Sequence, residues 1–431
     1  MERPCFTRRG LLLSAGTGAA AALSGCSDLD ARSDETTDRI PLTRLPEVPD
    51  PEESEPVLAE DLPVDVERDR LAETADRVTD LLGGLPMPLG PEDVPNGYVR
   101  GELVDAAERA SDRLDAARSA KTRLSALQSL RRARGEARYA AAGWRFVEEG
   151  LTEAELRAER RETANGARAF RSAHEYVGED PVRAVVVHAH VEGTVRRLLD
   201  SRAPSPHGDR GALLTVAEWG EHAESARARL GDSRYLYDRF EGSLPSDAGT
   251  LGSTFETAAT SLTETLGERL EELPSGPEER GDGLAQRLRY RLRDDAESAV
   301  KYAREADTPA RTVMESVDAL VGHLAYDRIS GRVEDGERFR VETGEDVRRV
   351  RSEALSAVRT GLEESPRPAL VRGVLADAAW LVVHADDELA RYRSGVRPAR
   401  LDSPIRRYVT ATARARSAPA ACREVVDALE R

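Results

Sequence analysis

The most regular feature of the chain is a helical spacing of its apolar residues, which begins near residue 66 and continues almost to the end. Apolar side chains recur at intervals of three and four residues, as at Leu103, Ala106, Ala107, Ala110 and Leu114. This spacing places them on one face of an α-helix. Ala, Leu, Arg and Glu dominate these stretches, and all four favour helix. We therefore predict an all-α fold.

Clusters of Gly and Pro interrupt the helical pattern at intervals that suit individual helices. Pro181, Pro309 and Pro404 each follow Asp, Thr or Ser, and such a pair commonly starts a helix. The uninterrupted stretches between the clusters indicate about a dozen helices. Long helices with short connections pack as antiparallel bundles.

Three short motifs occur twice along the chain in the same order, which indicates an internal duplication. The pairs are residues 147–150 with 333–336, 160–161 with 348–349, and 186–189 with 382–385. We expect two similar antiparallel helical bundles, at residues 66–273 and 284–431, joined by a linker at residues 274–283. The alternative is that helices rich in Val, Ala, Glu and Arg resemble one another through composition alone.

The third motif carries candidate chemistry, because a Glu follows its His by four residues in both copies. His188 and Glu192 share one helix face, as do His384 and Glu388. Imidazole and carboxylate at this spacing suit a divalent metal such as Fe, Mn or Zn. These four residues are the candidate metal or small-ligand site. The alternative is a hydrogen bond within each pair that fixes helix packing, since structural ion pairs also occur at buried positions.

The two histidines differ in their neighbours on the helix. His188 shares its face with apolar residues such as Val185 and Val191, whereas His384 lies near the acidic Asp387. Burying a polar group is costly unless it finds a partner. We expect His188 to be the more buried of the two.

The first 25 residues have the layout of an export signal. Arg8 and Arg9 form a basic pair, an apolar run extends from Leu11 to Leu23, and Leu-Ser-Gly-Cys ends at Cys26. The run is too short to span a bilayer, and its charge-then-apolar order is typical of a signal. Together these residues resemble the signal peptide of twin-arginine-exported lipoproteins of haloarchaea. The alternatives are a general secretory signal and an uncleaved anchor.

This resemblance implies cleavage before Cys26, a lipid on its sulfur, and attachment to the outer face of the cell membrane. A single lipid chain binds a membrane only marginally, so stable anchoring requires a second chain or a second contact. Cys422 would then be the one free thiol of the mature chain, which excludes an intramolecular disulfide and a zinc site with two thiolates.

Residues 26–65 have the composition of a disordered tether. Residues 27–65 contain 13 acidic residues and six prolines but few large apolar groups, which is too little apolar surface to drive folding. As a flexible coil they would span roughly 35 Å. The tether would hold the helical bundles away from the lipid surface.

The charge of the chain points to its solvent. There are 79 acidic and 63 basic residues, a net charge of −16, and Lys121 and Lys301 are the only lysines. An acidic chain that uses Arg in place of Lys is typical of an extreme halophile, in which salt screens the self-repulsion. The acidity argues against nucleic-acid binding, which requires a basic surface.

We expect a membrane-anchored, extracytoplasmic lipoprotein that acts as a non-enzymatic helical binding or scaffold module, with a protein or cell-surface component as possible partner. The alternative is a lipoprotein that binds a divalent metal or a small ligand through the paired His and Glu residues. No nucleophile elbow, phosphate-binding loop, dinucleotide fingerprint or His-Glu-x-x-His motif occurs. The sequence therefore offers no specific reaction.

Overall fold

Twelve α-helices, two short 3-10 helices (Leu42–Arg44 and Pro398–Leu401) and a short two-stranded ribbon make up the regular structure of the part described. The structure is a computed structural model and describes residues 39–49, 56–204, 211–274 and 283–431. The strands Val177–Gly178 (β1) and Gly249–Thr250 (β2) pair antiparallel. The prediction of an all-α fold is confirmed. The helices are Arg68–Gly83 (α1), Gly97–Arg118 (α2), Arg123–Glu148 (α3), Glu153–Ser172 (α4), Pro181–Leu199 (α5), Gly211–Glu241 (α6), Gly252–Glu272 (α7), Leu284–Arg304 (α8), Pro309–Glu334 (α9), Gly344–Glu363 (α10), Pro368–Ala390 (α11) and Asp402–Leu429 (α12).

The twelve helices form two bundles of six with the same packing arrangement. Helices α1–α6 form the first bundle and α7–α12 the second. In each bundle the third helix packs against the second and the sixth, and the fourth and fifth helices pack against the sixth. The predicted pair of similar helical bundles is therefore present, with six helices in each.

Corresponding helices of the two bundles begin and end in the same way. α3 and α9 each contain 26 residues, and each is followed closely by a glycine in the left-handed region, Gly150 (φ 73°) or Gly336 (φ 92°). α4 and α10 each contain 20 residues and begin with a capping box led by Thr152 or Thr343, which satisfies free backbone N–H groups. α5 and α11 each begin with a proline, which suits the first helical turn. These shared boundaries support duplication.

The alignment of the helices corrects the predicted arginine match. Residues 147–150 and 333–336 do correspond, because both segments span the end of the third helix of a bundle. Arg160 is the eighth residue of α4, and the eighth residue of α10 is Arg351 rather than Arg348. The side chains of Arg160 and Arg351 each lie against the fifth helix of their bundle, where they bond Leu198 and Asp386 respectively.

The boundary between the bundles lies before α7, one helix earlier than predicted. α7 packs mainly against α9 and α12, with Phe255, Leu262 and Leu266 buried. The second bundle therefore begins at Gly252. The predicted linker at 274–283 connects two helices of the second bundle, and its residues 275–282 lie outside the described residues. This segment is therefore not the break between the bundles.

Residues 39–49 and 56–66, here called the strap, pack along both bundles, although we predicted a free tether up to residue 65. Ile40 and Leu45 are buried against the second bundle. Ile40 also exchanges two backbone hydrogen bonds with Val396, at 2.9 and 3.0 Å. The few apolar residues of this acidic segment thus find places in the core, which corrects the prediction for the described part of the tether.

The later part of the strap contacts both bundles. Lys121, before α3, donates to the carbonyl of Pro56 (2.6 Å), and Arg372 of α11 donates to the carbonyl of Ala59 (3.1 Å). Val66 is buried. The strap therefore connects the first bundle to the second.

One helix of the described residues, α11, is long and apolar enough to cross a membrane. It packs against α10 and α12, and Leu375, Ala378 and Val382 are buried in the protein. α11 is thus a core helix of the second bundle in this structure.

The close contact between the strap and α10 predicts the effect of a glycine substitution. A Cβ on Gly344 would overlap the carbonyl group of Arg44. We expect Gly344→Ala to destabilise the protein by about 1–3 kcal/mol through overpacking, as measured by urea unfolding. As a control, a Cβ on Gly101 in α2 meets nothing within 4 Å, so Gly101→Ala should stabilise by up to about 1 kcal/mol. Equal effects would contradict the position of the strap.

Candidate functional site

His188 lies in the interior of the protein, in a cluster of rings contributed by the segment between α4 and β1 and by α6 and α7. Its side chain has 0% exposure, and its neighbours include Tyr176, Phe240 and Phe255. Nε2 of His188 lies 2.8 Å from the carbonyl oxygen of Val177, and Nδ1 lies 3.0 Å from Nε2 of His174. Both ring nitrogens are therefore occupied by partners other than Glu192.

The Val177 carbonyl determines the tautomers of both rings. A carbonyl only accepts, so His188 carries its proton on Nε2 and accepts at Nδ1 from the Nε2–H of His174. Burial lowers the pKa of His188, and the hydrogen bond to Val177 opposes this shift. Burial and the neighbouring His188 lower the pKa of His174 to about 4. Both rings are neutral in the folded protein at neutral pH.

Glu192 joins the first bundle to the second. Its carboxylate accepts from the hydroxyl of Tyr176 (2.6 Å) and from the hydroxyl of Thr308 (2.6 Å). Tyr176 precedes β1, and Thr308 precedes the first residue of α9. Burial raises the pKa of Glu192, and the two hydroxyl hydrogen bonds oppose the rise. The predicted pairing of Glu192 with His188 is wrong, because each side chain bonds residues from outside α5.

The predicted equivalence of the two His/Glu pairs is also wrong. His188 is the eighth residue of α5 and His384 the seventeenth of α11, so the histidines are nine positions out of register. His384 is exposed beside Trp380, and Glu388 accepts from Ser403 (3.0 Å) and Arg407. His188 is the more buried histidine, as predicted. Within the described residues, no group of three or more His, Cys, Asp or Glu side chains is placed to hold a metal.

The other predicted site residues belong to the export signal. Arg8, Arg9 and Cys26 lie outside the described residues. Cys422 is a buried residue of α12. Burial raises the pKa of its thiol, which keeps the thiol protonated at neutral pH.

A cleft of about 460 Å³ lies between the two bundles. One wall is α5, with Ala189, His190 and Arg197, and another is formed by α9 and α11. Residues 60–62 of the strap line it as well. Its volume falls in the range of small-ligand sites, which often form at domain interfaces. This cleft is the candidate functional site.

The arginines that line the cleft differ in whether a carboxylate pairs with them. Arg311 is bonded to Asp307 (2.6 Å) and Glu315 (3.1 Å). Arg197 donates to the hydroxyl of Thr194 (3.1 Å) but forms no ion pair with a described carboxylate. Among the described residues that line the cleft, Arg197 is therefore an arginine whose guanidinium remains open to a ligand.

Glu60 attaches the strap to the wall of the cleft. Its carboxylate lies 3.5 Å from Nδ1 of His190 and 3.0 Å from Nε2 of Gln128. The hydrogen bond from His190, ahead of the opposing effect of burial, lowers the pKa of Glu60 to about 2. Glu60 is thus ionised at neutral pH.

Sequence reasoning missed His190 and Glu60. His190 lies on the face of α5 opposite His188, and Glu60 lies in a segment with the composition of a tether. One signal was present: valines surround α5 on all sides, at 182, 185, 186, 187, 191 and 195. A helix that is apolar all round is buried on all sides, which indicates a position between two bodies.

Two family models match the chain in series. Residues 69–247 match a domain of unknown function, DUF8262, and residues 252–427 match another, DUF8264. The matches meet between α6 and α7, where the packing also divides the chain. No curated protein and no solved structure matches the chain. The comparisons therefore indicate two tandem domains and give no activity.

The buried hydrogen bonds of His188 predict that substituting it destabilises the protein more than substituting His384. His188→Ala leaves the N–H of His174 and the carbonyl of Val177 without a partner in the interior. Unsatisfied buried groups cost about 1–3 kcal/mol, so we expect a loss of at least this size in urea unfolding. His384→Ala is the matched control and should change stability by less than about 0.5 kcal/mol, because His384 is on the surface. Similar losses for both variants would contradict the placement of His188.

The lowered pKa of His174 predicts a pH dependence of stability. A histidine in the unfolded chain titrates near 6.5, so the unfolded state binds more protons than the folded state between about pH 6.5 and the folded-state value of about 4. Stability should therefore fall as the pH decreases through this window. His174→Gln keeps an N–H donor toward His188 without titrating, and should make the fall shallower.

The dependence of stability on pH should not vanish in the His174→Gln variant, because burial also lowers the pKa of His188 and of His222. His384→Gln is the control, and its curve should match that of the wild type. Urea midpoints measured between pH 4 and 7 test this window. A His174→Gln slope equal to the wild-type slope would contradict the neutral His174–His188 pair.

Proposed function

We propose that this protein is a lipid-anchored, extracytoplasmic binding protein whose two helical bundles hold a small organic ligand in the cleft between them. The ligand carries an acidic group that contacts Arg197. The cleft is the observation that best supports this proposal. It has the volume of a small-ligand site, and its wall includes Arg197, which has no ion-pair partner among the described residues. The role is binding and not catalysis.

The anchor is supported by the sequence. Arg8, Arg9 and the apolar run before Cys26 have the order of a lipoprotein export signal. The net charge of −16 suits an exported protein that functions in concentrated salt, where screening acts over a few ångströms. The proposed location on the outer face of the membrane rests on the export signal.

The strap connects the proposed anchor to the cleft. It leads from the residues after Cys26 to Ile40 on the second bundle and then to Glu60 in the wall of the cleft. The segment that tethers the protein is thus also part of its ligand site. A ligand that draws the bundles together would change the path of the strap.

The anchor is tested by substitution of two cysteines. Cys26→Ser removes the lipid-bearing sulfur, so we expect the protein to move from the detergent phase to the aqueous phase in a partition experiment. Cys422→Ser is the control, because this buried cysteine lies far along the chain from the signal, and it should leave partitioning unchanged. A Cys26→Ser protein that remains in the detergent phase would overturn the lipid anchor.

The cleft is tested by filling it. A Cβ on Gly373 of α11, which lines the cleft, meets nothing within 4 Å, so Gly373→Leu should occupy the cleft without straining the fold. Gly331→Leu in α9 is the control, because a Cβ there also meets nothing within 4 Å and Gly331 does not line the cleft.

Native mass spectrometry of protein purified from its own cells provides the readout. We expect a bound small molecule on the wild type and on Gly331→Leu but not on Gly373→Leu. Equal occupancy in Gly373→Leu and the control would place the ligand elsewhere, and an empty wild type would contradict the proposal.

A further inference from the structure

A second pocket, of about 260 Å³, is lined by arginines where α9 connects to α10. Arg332 comes from α9, Arg338 and Arg340 from the connection, and Arg349 from α10. Two carboxylates, those of Glu337 and Glu353, also line it. The pocket lies in the second bundle alone and is separate from the cleft.

The two carboxylates neutralise two of the four arginines. Arg332 binds Glu337 through two hydrogen bonds of 2.6 Å, and Arg349 binds Glu353 at 3.2 Å. Arg338 and Arg340 are exposed and have no partner among the described residues. The pocket therefore presents two uncompensated guanidinium groups.

Phe339 holds these two arginines in place. Its backbone is in the left-handed region (φ 53°), which is rare for a bulky residue. Such strain persists only where the surroundings impose it. Here the ring of Phe339 is buried, at 8% exposure, under the guanidinium of Arg332, which lies 4.7 Å from the ring centre. The anchored ring keeps its two neighbours at the surface.

Arg338, Phe339 and Arg340 lie in a loop that is longer in the second bundle than in the first. In the first bundle, the connection between α3 and α4 comprises residues 149–152. The corresponding connection between α9 and α10 comprises residues 335–343, which is five residues longer. The arginines at 338 and 340 therefore lie in a loop extension of the second bundle.

The pocket lies where the strap enters the protein. Arg44 of the strap packs directly against Gly344, the first residue of α10, and Arg349 is five residues further along the same helix. Twelve residues separate Cys26 from Arg39. A chain of this length, from Cys26 to Arg39, spans at most about 45 Å. A lipid on Cys26 would therefore keep this end of the second bundle close to the membrane.

We infer that the pocket binds the phosphate group of an anionic phospholipid of the membrane to which the protein is attached. This inference rests on the proposed lipid anchor. Guanidinium groups bind phosphate oxygens through paired, charge-assisted hydrogen bonds, and Arg338 and Arg340 have this capacity free. The contact supplies the second membrane attachment that a single lipid chain requires.

The test uses full-length protein with Cys26→Ser, so that any binding to lipid must come from the folded part. The protein is sedimented with vesicles of phosphatidylcholine alone or of phosphatidylcholine mixed with phosphatidylglycerol. The assay is run over a series of salt concentrations, because salt screens both the repulsion between the acidic protein and the anionic lipid and the attraction between the arginines and phosphate. We expect sedimentation with the mixed vesicles only.

Arg338→Gln combined with Arg340→Gln should weaken this binding about tenfold or more, the effect of about 1.4 kcal/mol. Arg348→Gln combined with Arg359→Gln is the matched control, because both arginines are exposed on α10 outside the pocket. The control should bind like the parent protein. All four substituted side chains are at the surface, so the fold should be retained in both variants.

Three results would overturn the inference: sedimentation with neither vesicle, equal sedimentation with both, or equal losses in the two double variants. Calorimetric titration with inorganic phosphate separates a free anion from a lipid. Phosphate binding that requires Arg338 and Arg340, without vesicle binding, would assign the pocket to a free phosphate and overturn the membrane contact. A wild-type protein without lipid on Cys26 would contradict the anchor but would not alter this assay.

Discussion

One buried carboxylate, that of Glu192, links the two bundles within the apolar core that they share. A carboxylate with 7% exposure is costly unless protein groups replace its water. Tyr176 of the first bundle and Thr308 at the start of α9 each donate a hydroxyl to it at 2.6 Å. Because both donors must remain in reach, the carboxylate and the apolar contacts of α5 together fix where the ribbon and the second bundle lie relative to α5.

The strap holds the same helix from the opposite side. Glu60 contacts His190 on the face of α5 that points away from His188, while Ile40 is attached to the second bundle. α5 is therefore fixed by the Glu192 junction on one face and by the strap on the other, with the cleft beside it. Movement of one bundle against the other would change both contacts and the shape of the cleft, as expected of a ligand site at a domain interface.

Local sequence signals predicted the helices and the presence of a repeat, because apolar periodicity and helix breakers act over a few residues. The alignment of one repeat with the other was harder to predict from the sequence. The recurring Val-Val-His-Ala letters suggested a match that is nine positions out of step, whereas the prolines at the starts of α5 and α11 mark the true alignment. The apolar face on which His188 lies was predicted correctly, but the hydrogen-bond partners of its ring were not. His174 and Val177 come from the segment before α5 and reach the ring only through the tertiary fold. The strap was not predicted, because Ile40 and Leu45 are isolated apolar residues in an acidic, proline-rich segment.

A double-mutant cycle on the two hydroxyl donors of Glu192 tests most directly whether this carboxylate couples the first bundle to the second. Tyr176→Phe and Thr308→Val each remove one hydroxyl while keeping the shape of the side chain nearly unchanged. Unfolding free energies of the wild type, the two single variants and the double variant give the coupling. Residues that share a buried partner couple by about 0.5–3 kcal/mol, and the account predicts a value in this range. Strict additivity of the two substitutions would contradict it.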